Sequence, residues 1–193
     1  MENIQKNYNK FRWFFTSSEK LVIGGKSAEQ NEELVKSIIS KKENFVSMHT
    51  HSPGSPFSFI ISKIKPTKKD IEEAAIFTAS FSQAWKSGKK EAIVDIFSSK
   101  DISKNNLMKT GTFGIKKKNS SIKVKMKLWL EKQNNITRAI PEEVKNSIEL
   151  TPGKIPKDEA VKKLSEFLKI SKQEIESALP SGGFSFKVSR TIH

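Results

Sequence analysis

Between Thr67 and Gly88 the chain carries a complete helix specification. Thr67 supplies a capping oxygen, Asp70 stands at the third helical position, and Gly88 suits a left-handed closing residue. Ile71, Ala74, Ala75, Thr78, Phe81 and Trp85 fall on one face at three- and four-residue spacing, so this helix has one side to bury. The segments around it follow a different rule. Residues 11–16 (FRWFFT), 20–23 (KLVI), 44–48 (NFVSM), 57–62 (FSFIIS) and 91–97 (EAIVDIF) are short apolar runs bounded by Ser, Gly, Pro or Asn, which is the pattern of strands. A one-sided helix among short strands specifies helices layered on a sheet.

A second helix follows Gly24-Gly25. Ser27 is its N-cap and Gln30, three residues on, completes a capping box. It runs to about Lys41 and buries Leu34, Val35, Ile38 and Ile39. Residues 98–110 read as polar loop. Residues 111–115 and 121–131 read as a hairpin around KKKNS. In its second arm Ile122, Val124, Met126, Leu128 and Leu130 share one face, and Lys123, Lys125, Lys127, Trp129 and Glu131 share the other.

The tail differs in character. A short helix is expected over 141–147, a strand over 148–151, and an amphipathic helix over 156–169 that buries Val161, Leu164, Phe167 and Leu168. Ser171 and Glu174 form a capping box for a helix ending near Leu179, and FSFKV is a last strand. The expected fold is α+β: a largely antiparallel mixed sheet with two long helices and a small C-terminal α/β extension. QNN at 133–135 is the best point of division. It gives a core over 1–133 and an extension over 134–193 that can pack on it.

Composition narrows the chemistry. There is no cysteine in the 193 residues, so disulfides, Cys-ligated metal and thiol catalysis are excluded. No apolar run approaches the roughly 20 residues of a membrane span, and the first residues lack a signal pattern, so a cytoplasmic protein without a membrane partner is expected. The net charge is +14, and it is concentrated. Residues 103–138 hold 10 basic side chains against one acidic, Glu131, whereas the rest of the chain is close to balanced. A concentrated basic excess points to a polyanion, usually nucleic acid.

Three constellations stand out. His49 and His51 lie in HTHSPGSP. They could ligate a metal with carboxylates, act as a base, meet RNA, or simply sit in a rigid loop framed by Pro53, Gly54 and Pro56. Gly24, Gly25, Lys26 and Ser27 precede a helix, which suits either a phosphate-binding turn or a plain cap. Lys116, Lys117 and Lys118, followed by the alternating Lys123, Lys125 and Lys127, form a phosphate-binding face or a solvated edge. Trp129 on that face favours the former. Phe11, Trp13, Phe14 and Phe15 read as core, and Trp85 as core or rim.

Several motifs, taken in order, resemble one family. FRWFFTSSEKLVIGGKSAEQNEELV is similar to the opening of the NFACT-R domain. HTHSPGSPFSFI resembles its histidine loop and following strand. IEEAAIFTASFSQAW looks like its Ala-rich helix, and MKTGTFGIKKK like its Gly-containing strand with a basic turn. ELTPGK and ALPSGG are similar to pieces of the C-terminal extension of archaeal single-domain members. The resemblance covers residues 9–132 best. It implies an RNA-binding protein of translation that acts on tRNA or the large ribosomal subunit in ribosome-associated quality control. No DNA partner, metal, cofactor or catalytic residue is expected. The chain has no room for the family's other domains, so the resemblance implies a free-standing RNA-binding unit that can meet other NFACT-type proteins. The positions it carries over are Arg12, Gly24, Gly25, Lys26, Asn31, His49, Gly54, Ser55, Lys109, Thr110 and Gly111. His51 and the lysines from 116 to 127 are added from composition and charge. Two other readings stay open: a nuclease-like enzyme using His49 and His51, and an adaptor for separately encoded NFACT components.

Overall fold

The computed structural model describes residues 6–41 and 43–188. Strands and helices are numbered in chain order. The first sheet contains β1 (Arg12–Phe15), β2 (Leu21–Gly24), β3 (Val46–Thr50), β4 (Ser58–Ile61), β5 (Glu91–Ser98) and β8 (Ser120–Lys125), in the order β1-β2-β4-β3-β5-β8. Every neighbouring pair in it is antiparallel. Two short strands, β6 (Ile102–Ser103) and β7 (Gly114–Ile115), pair apart from it. The second sheet contains β9 (Leu128–Gln133), β10 (Ile136–Ile140), β11 (Ile148–Ile155) and β12 (Phe184–Val188), in the order β10-β9-β11-β12. The helices are α1 (Ala28–Ser40), α2 (Lys68–Ser80), α3 (Gln83–Lys86), α4 (Lys157–Leu168) and α5 (Lys172–Ala178). The class is α+β.

Alternation along the strands supplies both faces of the first sheet with apolar side chains. Trp13, Ile23, Phe59 and Phe97 point to one face, where Leu34, Val35 and Ile38 of α1 cover them. Phe14, Val22, Met48, Ile60 and Val94 point to the other, against Ala74, Ala75 and Phe77 of α2. That second core continues through Met126 and Leu128 to Leu150, Leu164 and Ile175, so the second sheet and its helices share it. Truncating a fully buried member such as Phe77 removes about 3–5 kcal/mol.

Several expectations are corrected. The helix expected over 67–88 is two helices. Ser82 takes extended backbone, its hydroxyl donates to Ala79 O, and it accepts from Ala84 N to cap α3. The 111–131 hairpin does not form. β7 pairs with β6, β8 pairs with β5, and the chain passes to the second sheet at 126–127. Residues 133–135 are the turn of the β9–β10 hairpin, with Asn134 and Asn135 at φ 49 and 61. These are the left-handed values of a tight two-residue turn. Residues 141–147 form no helix, and Asn146 takes φ 57. Ile39 and Phe167 are exposed, so both helical stripes are narrower than expected. Ser27 and Ser171 do cap their helices. Gln30, however, turns to Lys26 N, and Glu174 to Thr137, in place of closing capping boxes.

Candidate nucleic-acid interface

β1 and β4 begin, and β2 and β3 end, at one edge of the first sheet. A groove of about 710 Å³ runs across that edge, within the range that holds a nucleotide-sized ligand. Its walls bring together Arg12, Gly25, Lys26, Asn31, His49, His51, Gly54, Ser55, Thr110 and Gly111, residues up to 99 positions apart in the chain. Gly24 stays within β2, between Arg12 and Ser58, and does not line the groove.

Three ties fix the loops that make the walls. Asn31 Oδ1 accepts from Phe57 N at 3.2 Å, which joins α1 to the start of β4. Gly25 lies so close to Asn31 that a Cβ would stand 2.5 Å from its Oδ1. On one side Gly111 (φ +75) rests on Ala28, and its N–H donates to Glu32 Oε2 at 2.8 Å. Lys104 clamps the same loop. Its ammonium reaches Glu32 at 2.8 Å and the carbonyls of Lys109 and Thr112. Hydrogen bonds from Lys104, Lys36 and Gly111 hold the Glu32 carboxyl down at about 2. On the other side Gly54 (φ +99) docks against Gln83, whose N–H donates to Gly54 O at 2.8 Å. A Cβ there would meet the Gln83 side chain at 2.4 Å. Ser55 accepts from Thr50 N at 2.9 Å inside the same loop. The groove is therefore built before any ligand arrives, which lowers the ordering entropy of binding.

The two histidines differ. His49 lies in β3, not in a loop, and is half-buried with its ring 4.8 Å from that of Phe57. Its Nδ1 donates to Thr50 O at 2.7 Å, so Nε2 is an acceptor. Burial pushes its pKa down, against opposing pulls from Thr50, Asp95 and Ser55, and the ring is neutral at pH 7. His51 is exposed, and its Nδ1 lies 3.0 Å from Asp95 Oδ2.

Among the described residues, charge in the groove is of one sign: Arg12, Lys26 and Lys86 line it, and no carboxylate does. The Arg12 guanidinium lies 4.8 Å from the centre of the Phe81 ring, and burial lowers it to about 10, leaving it fully charged at neutral pH. Lys26 is lowered by burial and by the charges of Arg138 and Arg12.

The lysine stripe is elsewhere. Lys116, Lys117 and Lys118 follow β7, and Lys123 and Lys125 belong to β8 at the far edge of the sheet. Much of their charge is matched: Lys118 pairs with Asp95 at 3.3 Å, Lys123 with Glu91 at 2.6 Å, and Lys127 with Glu149 at 3.4 Å. Trp129 does not join this face. It is 7% exposed in β9, a central strand of the second sheet. Lys109 adjoins the groove through Thr110 but does not line it.

Phe81, Gln83 and Lys86 line the groove without a motif that marks them, as does Ser181, which reaches it from the turn before β12. Arg138 carries no motif either. One signal was available: in a chain whose basic residues are almost all lysine, Arg12 and Arg138 are two of three arginines.

The family model described as the NFACT protein RNA binding domain matches residues 10–117. The archaeal Rqc2 homolog aRqcH of Methanocaldococcus jannaschii is 30% identical over 93% of this chain, which spans 29% of that protein's length. A ribosome quality control complex subunit NEMF homolog of Drosophila melanogaster is 39% identical over 83 residues, 40% of this chain and 8% of its own. The C-terminal part of a fibronectin/fibrinogen-binding protein from Streptococcus suis aligns with a TM-score of 0.54 at 20% identity, over 60% of this chain and 45% of that one, a likeness of fold.

Proposed function

The chain belongs to the NFACT RNA-binding domain family, and on that premise we propose that its groove binds RNA during ribosome-associated quality control. The ligand is tRNA, the RNA of the large ribosomal subunit, or both, and the setting is the cytoplasm. The carrying observation is a preformed groove lined by Arg12, Lys26 and Lys86, with no carboxylate among the described residues that line it. Such a surface attracts phosphates. Neutral His49, with an acceptor nitrogen, and the Phe81 ring beside Arg12 offer contacts to bases.

The reading is one of binding without cleavage. A nuclease would draw on His51 oriented by Asp95. In our reading that pair, with Ser121 bonded to the same carboxylate at 2.6 Å, ties the loop after β3 to β5 and β8 at the groove's rim. The test is a titration of labelled tRNA and of ribosomal RNA fragments, with the RNA recovered and sized afterwards. Salt-sensitive binding and full-length RNA are expected. Binding that is absent at low salt, or RNA cut by the wild-type protein but not by His51→Ala, contradicts it.

A further inference from the structure

Beside the groove the two sheets meet where β1 contacts β10. At the end of β1 away from the groove, Gln133 of β9 bonds that strand twice: its Oε1 accepts from Phe15 N at 2.7 Å, and its Nε2 donates to Phe15 O at 2.8 Å. The turn before β12 is pinned to α3. Trp85 Nε1 donates to Gly183 O at 3.1 Å, and Gly182 (φ +120) lies against Lys86, where a Cβ would stand 2.7 Å from the Lys86 Cα. That docking places Ser181 in the groove wall. Lys157, the first residue of α4, donates to Leu179 O at 3.2 Å, so its ammonium is held beside the same turn.

Cations gather at this seam without an ion pair among the described residues. Arg138 of β10 is buried over Trp13, its guanidinium 4.4 Å from the ring centre, and its Nε has no hydrogen-bond partner. Among the described residues, no carboxylate forms an ion pair with Arg12, Lys26, Arg138 or Lys157. Glu174, the acid nearest in effect to Arg138, is taken up by Thr137 N and Oγ1. These cations feel one another: Arg138 and Arg12 both lower Lys26 after burial, and Lys157 is lowered by burial and by Arg12 against an opposing pull from Glu176. Like charges gathered without a direct ion pair are unfavourable in the free protein, and an anion relieves them.

We propose that the ribose–phosphate backbone of a bound RNA leaves the groove along this seam, with Arg12 and Lys26 meeting phosphate on the first sheet's side and Lys157 meeting it on the second's. The C-terminal unit is then part of the RNA site. This inference rests on the groove being an RNA site, and the experiment separates the two. Full-length protein is titrated with fluorescent tRNA across a salt series, as wild type, Lys157→Ala, Lys26→Ala and Lys162→Ala, the last removing an exposed lysine of α4. Wild type should bind. Lys157→Ala and Lys26→Ala should each weaken binding several-fold and shrink the salt slope by about 0.7, one phosphate contact on a single strand. Lys162→Ala should change neither. Thermal unfolding supplies a second readout: pyrophosphate at matched ionic strength should raise the wild-type Tm, and Lys26→Ala should lose that shift. If wild type binds while Lys157→Ala matches Lys162→Ala, the seam is overturned and the groove stands. A pyrophosphate shift without an effect of Lys26→Ala on RNA affinity marks a site for free anions and overturns it too. Failure of wild type to bind any RNA overturns the groove itself.

Discussion

Two charges at opposite ends of β1, one buried and one half-buried, meet opposite fates. The Asp70 carboxylate is fully buried and fully partnered. It accepts from Thr16 Oγ1 at 2.6 Å, from Ser18 Oγ, and from Thr67 N and Oγ1 at 2.7 Å each, and Lys20 Nζ stands 3.1 Å away. Burial alone would raise its pKa, but the hydrogen bonds from Ser18, Thr16 and Thr67 outweigh it and hold the carboxyl well below the usual carboxylate range. Arg12, at the start of the same strand, is stacked on Phe81 and forms no ion pair among the described residues. Around Asp70 the protein has matched a charge with its own donors, in the turn that joins β1 to β2 and at the cap of α2. Around Arg12 and Lys26 it has gathered charge and left it unmatched. A matched buried charge specifies the fold, and an unmatched cluster specifies a partner.

The largest effect should come from the matched site. Asp70→Ala leaves the partners Thr16, Ser18, Thr67 and Lys20 unmatched, and urea unfolding should show a loss of about 3–5 kcal/mol. RNA affinity per folded molecule should not change. The same site sets an acid limit. Because the folded carboxyl has the lower pKa, the unfolded chain takes up its proton first as pH falls. Stability is therefore fully present above about pH 4 and declines below it. Unfolding midpoints of wild type and Asp70→Asn measured down the acid range should converge. Parallel curves would dissociate Asp70 from the fold's stability.

A smaller effect belongs to the groove wall. Gly111→Ala forces a side chain into φ +75, with its Cβ 2.9 Å from Ala28. The cost should be about 1–3 kcal/mol, and amide exchange should quicken across the 104–113 loop. A stable variant with unaltered exchange would show that the wall is not fixed by this contact.

The lysine stripe should matter least. Lys116→Ala, Lys117→Ala and Lys118→Ala combined should shrink the salt slope by at most about 1.4, two contacts, because Lys118 is already held by Asp95. A larger drop would shift weight from the groove to the stripe.

Much of the fold follows from local pattern. Strands β1 to β5 and the start of each long helix are legible because alternation and capping act over a few residues. The 121–131 segment shows where such reasoning ends. Ile122, Val124, Met126, Leu128 and Leu130 do keep facing one core, as their spacing predicts. Periodicity reports a face, however, and says nothing of which sheet owns it, so the passage from β8 to β9 was invisible. Trp129 was misplaced for the same reason, since β9 is covered by β10 and β11. In the site, the loops around Gly25, Gly54 and Gly111 could be picked out by motif. Arg138 and Lys157 could not, because only the docking of the second sheet brings them to the seam.

The central claim is that the groove's cations are left unmatched for RNA. Arg12→Gln tests it most directly, measured for tRNA affinity and thermal stability on the same preparation. Glutamine keeps much of the side chain over Phe81 and removes the charge. A tRNA affinity lower by about tenfold, the worth of one charge-assisted contact, with an unchanged or raised Tm, is the predicted pair of results. A lowered Tm with unchanged affinity per folded molecule would place Arg12 with Asp70, among the charges that hold the fold together.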